Sequence, residues 1–269
     1  MLASHFLLWR RKSIWILVAA AVAIVLTGFS LVNGDLFASW SVVWITFSLV
    51  GFVYGMDSLT DELHPWDALK TRAGLKLLPL LLSGLALSWL RQGSLTLLCF
   101  FTILFLGLSY SYPFATRSGI FRLKSLTGIK SAWIGVGWAM LVYLGAGDTS
   151  SPYVHIVAGF VALQVMAGSV LRDLDDLEED RVSGTRTLPL VFGERTTYAL
   201  LHTLNLLSGV LLIFFSVPWG IAWLVVLIWR SVNLEWLRWG DPGHYATQYM
   251  NLATCGLIFL SRMVFYVMA

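Results

Sequence analysis

Charge is what this sequence has least of. Asp, Glu, Lys and Arg make up 12% of its 269 residues, against about 25% in an ordinary soluble domain. So few charged groups leave too little polar surface to cover a globule of 30.0 kDa. A soluble enzyme, a disordered scaffold and a secreted module are all excluded. Cysteine is scarce too: Cys99 and Cys255 both stand in apolar runs, where neither a disulfide framework nor a zinc site would have polar company. Both are read as buried thiols. The period-two alternation that a membrane β-barrel requires is absent. What the chain has in abundance is apolar surface, 58% hydrophobic residues with a mean hydropathy of +0.77, the composition of an integral membrane protein.

A bilayer core of about 30 Å needs about 20 apolar residues per helix. The chain divides into nine such runs, at 13–33, 36–56, 75–91, 95–114, 129–147, 152–172, 196–216, 218–236 and 244–268. The expected fold is therefore all-α: a multi-pass membrane protein of nine transmembrane helices forming one domain over residues 1–269. The first run follows Arg10, Arg11 and Lys12 but is long and ends in no small-residue cleavage site, so it is read as a retained helix rather than a signal peptide. With the N-terminus in the cytoplasm, the loops at 57–74, 115–128, 173–195 and 237–243 share that side. They and the adjoining helix ends hold 16 of the 18 basic residues, leaving only Arg91 and Arg262 elsewhere. This bias follows the positive-inside rule and predicts N-terminus in, C-terminus out.

That rule does not account for the acids. Of 15 Asp and Glu, ten lie in two short runs, 57–67 and 173–180. Asp57 and Asp61 are four apart and share a face if helix 2 continues through them, with Pro65 ending the helix near His64. Asp173, Asp176 and Asp180, at i, i+3 and i+7, form a second helical stripe. Like charges at this spacing repel, and hard oxygen ligands in small number favour Mg²⁺ shared with a phosphate over zinc or a full calcium cage. The alternative is a pair of solvated acidic loops laced with Arg and Lys. Between them, the 115–128 loop carries Arg117, Arg122 and Lys124 and no acid. It suits an anion, although the positive-inside rule alone would place such residues there. His64 is expected to cap or pack. Lys70 and Arg72 are candidates for gripping a distal phosphate, with membrane-surface pairing as the alternative.

Two Asp-rich segments after helices 2 and 6 of a nine-helix membrane protein resemble the UbiA superfamily of intramembrane prenyltransferases. The second segment has the family's D-x-x-D-x-x-x-D as Asp173, Asp176 and Asp180. The run Gly184, Thr187, Leu188, Pro189 and Gly193 is similar to its G-x-x-T-L-P-x-x-x-G. Tyr110-Ser111 and Leu123-Lys124 resemble elements between helices 4 and 5. The first motif departs: anchored on Asp61 and His64-Pro65, the family's leading Asn and Asp fall on Val53 and Tyr54, and Glu62 replaces the usual basic residue.

The resemblance implies helices ringing a central cavity, with Asp-rich segments 53–67 and 172–193 at its cytoplasmic mouth. It implies Mg²⁺ as cofactor, with Asp57, Asp61, Asp173, Asp176 and Asp180 as metal-binding and catalytic carboxylates. Lys124, Arg122, Tyr110, Arg72 and Lys70 would contact substrate, and Lys124 would assist catalysis. The implied partners are a prenyl diphosphate, a lipophilic acceptor and membrane lipids; no nucleic acid is expected. Two competing readings keep the fold: a non-catalytic lipid-binding protein that has lost the Asn, and an intramembrane terpene cyclase.

Overall fold

The computed structural model describes residues 17–26, 29, 40–60, 64–91, 93–116, 119–121, 123, 126–183, 186–214, 227–228 and 231–232. In lipid every backbone N–H and C=O must be satisfied internally, which leaves helices as the economical answer for apolar runs of this length. The helices are α1 (Leu17–Leu26), α2 (Trp40–Thr60), α3 (Pro65–Lys70), α4 (Arg72–Leu90), α5 (Ser94–Ser111) and α6 (Ile129–Ala146). They continue with α7 (Pro152–Asp175), α8 (Leu177–Ser183), α9 (Leu188–Phe192) and α10 (Glu194–Ile213). Five of them, α2, α4, α6, α7 and α10, are long and apolar enough to cross a membrane. The expected spans from 36–56 to 196–216 thus correspond to helices, shifted by a few residues at their ends. Spans 218–236 and 244–268 lie almost wholly outside the described residues, as do Cys255 and Arg262.

One departure from an all-α chain is small. Strands β1 (Phe114–Thr116) and β2 (Gly119–Phe121) form an antiparallel hairpin that pairs Phe114 with Phe121 and Thr116 with Gly119. The basic loop therefore starts as a ribbon whose length is too short to leave a period-two signal in the sequence.

Neighbouring helices form a continuous series: α4 lies on α2, α2 on α5, α5 on α6, α6 on α7 and α7 on α10. Small residues allow the close approaches that membrane helices use. A Cβ on Gly135 of α6 would come within 2.7 Å of the Ala162 carbonyl oxygen of α7, and one on Gly145 within 2.1 Å of the Val25 carbonyl oxygen of α1. Tryptophan N–H groups tie helices together, Trp44 donating to Ser83 Oγ at 3.0 Å and Trp133 to the Leu106 carbonyl at 2.9 Å. Between α7 and α10, Gln164 donates to Asn205 Oδ1 at 3.2 Å and to Ser208 Oγ. Asn205 in turn donates to the Leu227 carbonyl at 2.9 Å and to Ser231 Oγ at 2.8 Å. The main core gathers Ile45, Leu49, Phe100, Leu141, Val142 and Phe160, while Leu82, Leu98, Phe105 and Leu206 point outward, as lipid-facing residues do.

Two short connections shape the polar end. Pro65 opens α3, where a missing N–H costs nothing, and His64 before it is extended, as expected of a residue preceding proline; α2 is described as far as Thr60. Thr71 ends α3 and caps α4, accepting from the Gly74 N–H at 3.0 Å while its hydroxyl donates to the Ala68 carbonyl at 2.7 Å. At Gly193, between α9 and α10, φ is +80° and ψ is 158°, a region open essentially only to glycine. The last glycine of the G-x-x-T-L-P-x-x-x-G run is therefore the pivot on which α10 turns away.

Candidate functional site

Residues far apart in sequence meet at one end of the helices. Asp57 comes from the last turn of α2, Tyr110 from the end of α5, Lys130 from the first turn of α6, and Arg172 and Asp173 from the end of α7. Tyr110 lies within electrostatic reach of Asp57, Tyr54, Asp173 and Arg172. Tyr54 lies within reach of Asp57 and Arg172. Asp180 of α8 interacts in the same way with Lys130, Asp173 and Asp176. Asp57 of the first acidic run and Asp173 of the second thus share a neighbour in Tyr110.

The best-defined contact is between Lys130 Nζ and Asp173 Oδ1, at 2.6 Å, with side-chain exposures of 21% and 3%. A carboxylate this buried requires a partner, since an uncompensated interior charge costs several kcal/mol. Arg172 Nε reaches Asp176 Oδ2 at 3.4 Å in a more exposed pair. Burial holds the Asp180 carboxyl above its ordinary value, opposed by Lys130 and by the Thr187 hydroxyl. Asp180 Oδ2 and Thr187 Oγ1 are both sealed from solvent. The buried threonine of the T-L-P run therefore sits beside the last carboxylate of the stripe. Thr127 Oγ1 donates to the Arg186 carbonyl at 2.9 Å, joining the end of the basic loop to this same segment.

One turn deeper, Trp138 Nε1 of α6 donates to Tyr54 Oη at 3.0 Å, with the rings edge-on at 6.5 Å. Val53 packs on α5, where a Cβ on Gly107 would lie 2.4 Å from its Cγ1. The two positions where the first motif departs are thus filled by an aromatic pair and by helix packing.

Of the residues singled out in the sequence, the structure brings Asp57, Asp173, Asp176, Asp180 and Tyr110 to this end. Lys70 pairs instead with Asp67 at 3.5 Å on the exposed face of α3, and Arg72 is exposed at the start of α4; among the described residues no contact joins either to the cluster. Asp61, Arg122 and Lys124 lie outside the described residues. His64 packs edge-on against Tyr112 at 6.0 Å and caps α3 through its backbone carbonyl, the structural role expected of it. The second stripe is not one uninterrupted helix. Asp176 is the hinge between α7 and α8, with φ −90° and ψ 10°, yet the Asp180 N–H still bonds to the Asp176 carbonyl at 2.8 Å. Repulsion along the stripe is relieved by Lys130 and Arg172 and by this kink. Lys130 and Thr187 were legible only as a boundary charge and a motif letter.

The donor chemistry suits Mg²⁺: every acid here offers hard oxygen. Among the described residues no three His, Cys, Asp or Glu are gathered around one point, so the four described carboxylates Asp57, Asp173, Asp176 and Asp180 do not form a closed cage. Mg²⁺ needs none, being held through one or two carboxylates together with substrate phosphates and water. Asp57 and Asp173, both within electrostatic reach of Tyr110, offer carboxylates of that kind.

The sequence profile of the UbiA prenyltransferase family matches residues 61–254, and the chain belongs to that family. A digeranylgeranylglyceryl phosphate synthase of Halobacterium salinarum is 37% identical over 73 residues, which is 24% of this chain and 26% of that protein. A chloroplastic 2-acyl-4-prenylphloroglucinol 6-prenyltransferase of Humulus lupulus is 31% identical over 126 residues, or 43% of this chain and 29% of that one. The match thus spans only about a quarter of each of these relatives. Among solved structures, a UbiA homologue from Archaeoglobus fulgidus bound to DMAPP and Mg²⁺ superposes with a TM-score of 0.66 at 14% identity, covering 96% of both chains. The fold is the UbiA fold, and the protein is an integral membrane protein.

Proposed function

We propose that this chain transfers a prenyl group from a prenyl diphosphate to a lipophilic acceptor within the membrane, with Mg²⁺ at the carboxylate cluster. The observation that carries this reading is that Asp57 and Asp173, from opposite halves of the chain, come within electrostatic reach of the same Tyr110 at one end of the helices, with Asp180 in reach of Asp173. Prenyltransferase relatives and a neighbour bound to DMAPP and Mg²⁺ support it.

Asp57, Asp173 and Asp176 would hold the metal. When bound, Mg²⁺ supplies a Lewis acid that offsets the charge on a departing diphosphate. Arg122 and Lys124 would grip that diphosphate from the basic loop. The allylic C–O bond breaks with its electron pair leaving on the diphosphate, and the acceptor's nucleophile bonds to the allylic carbon and loses a proton. An apolar surround would exclude water from that carbon, and aromatic rings near the carboxylates, such as Tyr54 and Trp138, are of the kind that would shield its positive charge. The charge bias of the loops supports a cytoplasmic position for this end, with the N-terminus there and the C-terminus outside.

The test is purified protein in nanodiscs with Mg²⁺, prenyl diphosphates of several lengths and candidate acceptors, read out as diphosphate release. Release should require Mg²⁺, and Asp176→Ala should weaken prenyl diphosphate binding at least tenfold, about 1.4 kcal/mol. Affinity unchanged in EDTA would remove the metal assignment. A lipid-binding protein without turnover is the second reading. It is favoured by one observation: Val53, at the position of the family's Asn, is committed to packing on Gly107.

A further inference from the structure

Lys130 is in an unexpected place. It lies in the first turn of α6, where the helix dipole disfavours a cation, so the helix itself does not explain it. Its partner does: the ammonium bonds Asp173 at 2.6 Å and lies within electrostatic reach of Asp180. A lysine thus stands among the stripe carboxylates and neutralises the most buried of them. Lysine is a compact point charge on a flexible stem, able to change partner. Its side chain keeps 21% exposure while Asp173 keeps 3%, so the lysine has open space along part of its side chain and the carboxylate has almost none.

We propose that Lys130 is a positioning residue that serves as the resting counter-ion of Asp173, competes with Mg²⁺ for that carboxylate, and turns to the diphosphate once displaced. This rests on the metal-dependent reading above and adds to it a group that changes partner between the free and loaded states. Holding Asp173 charged and oriented keeps the site assembled without metal. Transferring the ammonium to the diphosphate keeps the total charge balanced when substrate and metal arrive together.

The proposal gives Lys130→Met two effects of opposite sign. Mg²⁺ alone, titrated against the unfolding temperature, should half-saturate at about tenfold lower concentration, the equivalent of one competing charged bond. Binding of a prenyl thiolodiphosphate in saturating Mg²⁺ should weaken, while Lys130→Arg should stay near wild type in diphosphate binding. A lysine with a merely structural role would weaken both in Lys130→Met, and that result would overturn the proposal. So would an unchanged Mg²⁺ response in Lys130→Met when Asp176→Asn abolishes it in the same assay. If Asp176→Asn leaves the Mg²⁺ response intact, the metal site itself is misplaced and both readings fall. Should Lys130→Met not fold in EDTA, the double variant Lys130→Met/Asp173→Asn should fold there and lose the heightened Mg²⁺ response; a double variant that keeps that response counts against competition at Asp173.

Discussion

At the scale of single residues, the carboxylates were legible and their counter-charges were not. The spacing of Asp173, Asp176 and Asp180 announces a stripe, because i, i+3, i+7 is a local rule of helices. Nothing local announces that Lys130, 43 residues upstream of Asp173, would sit against it, since that pairing is made by helix packing. Val53 is a similar case: the motif identifies it as a misfit, and only the α2–α5 contact shows what holds it. Val53→Asn should place an amide one turn before Asp57. If the amide reaches the metal site, the Mg²⁺ requirement falls with stability held. A loss of about 1–3 kcal/mol from an unpaired buried amide, with unchanged metal dependence, would favour the lipid-binding reading. Asp180 gives a pH test. Its raised folded value means the folded chain binds that proton more tightly than the unfolded chain. The contribution to stability is therefore present below the unfolded value, about 3.9, and is lost as pH rises through the folded one. In EDTA, Asp180→Asn should melt higher than wild type at neutral pH, and the gap should close on acidification toward pH 4 and below.

Elements were legible where they are long and apolar. Length alone locates α2, α4, α6, α7 and α10, because about 20 apolar residues have few other uses. The short pieces escaped: the β1–β2 hairpin and α3, α8 and α9 each depend on turns and caps rather than periodicity. The break at Asp176 escaped for the same reason, since a single residue with helical neighbours leaves no mark on a spacing rule. What holds the long helices in place is close approach, and α2–α5 is the instance nearest the site. Gly107→Ala would force a Cβ to 2.4 Å from Val53 Cγ1, which should cost about 1–3 kcal/mol by overpacking. Adding Val53→Ala should recover most of that loss, a non-additivity that thermal unfolding of the single and double variants would reveal.

For the whole molecule, the loop charges argue for a sidedness that cysteine labelling can check. In a chain with Cys99 and Cys255 replaced by Ala, Val182→Cys, 89% exposed on α8, should react with an impermeant reagent only from the cytoplasm. Ser150→Cys, on the loop joining the other ends of α6 and α7, should react only from outside; reversed labelling would invert the proposed orientation. The bundle also bears on biogenesis. The Gln164 and Asn205 side-chain amides make their bonds to each other, to Ser208, to Leu227 and to Ser231 when α7, α10 and those residues are side by side, and such interior bonds contribute only about 0.6 kcal/mol on average once formed. Their larger effect falls earlier: a nascent α10 leaving the translocon alone would carry the Asn205 side-chain amide into hydrocarbon without these partners, whereas its Ser208 hydroxyl donates to the Asn205 carbonyl of the same helix. Entry of that helix is thereby coupled to the arrival of its neighbours, and the order of synthesis becomes part of how this membrane protein is assembled.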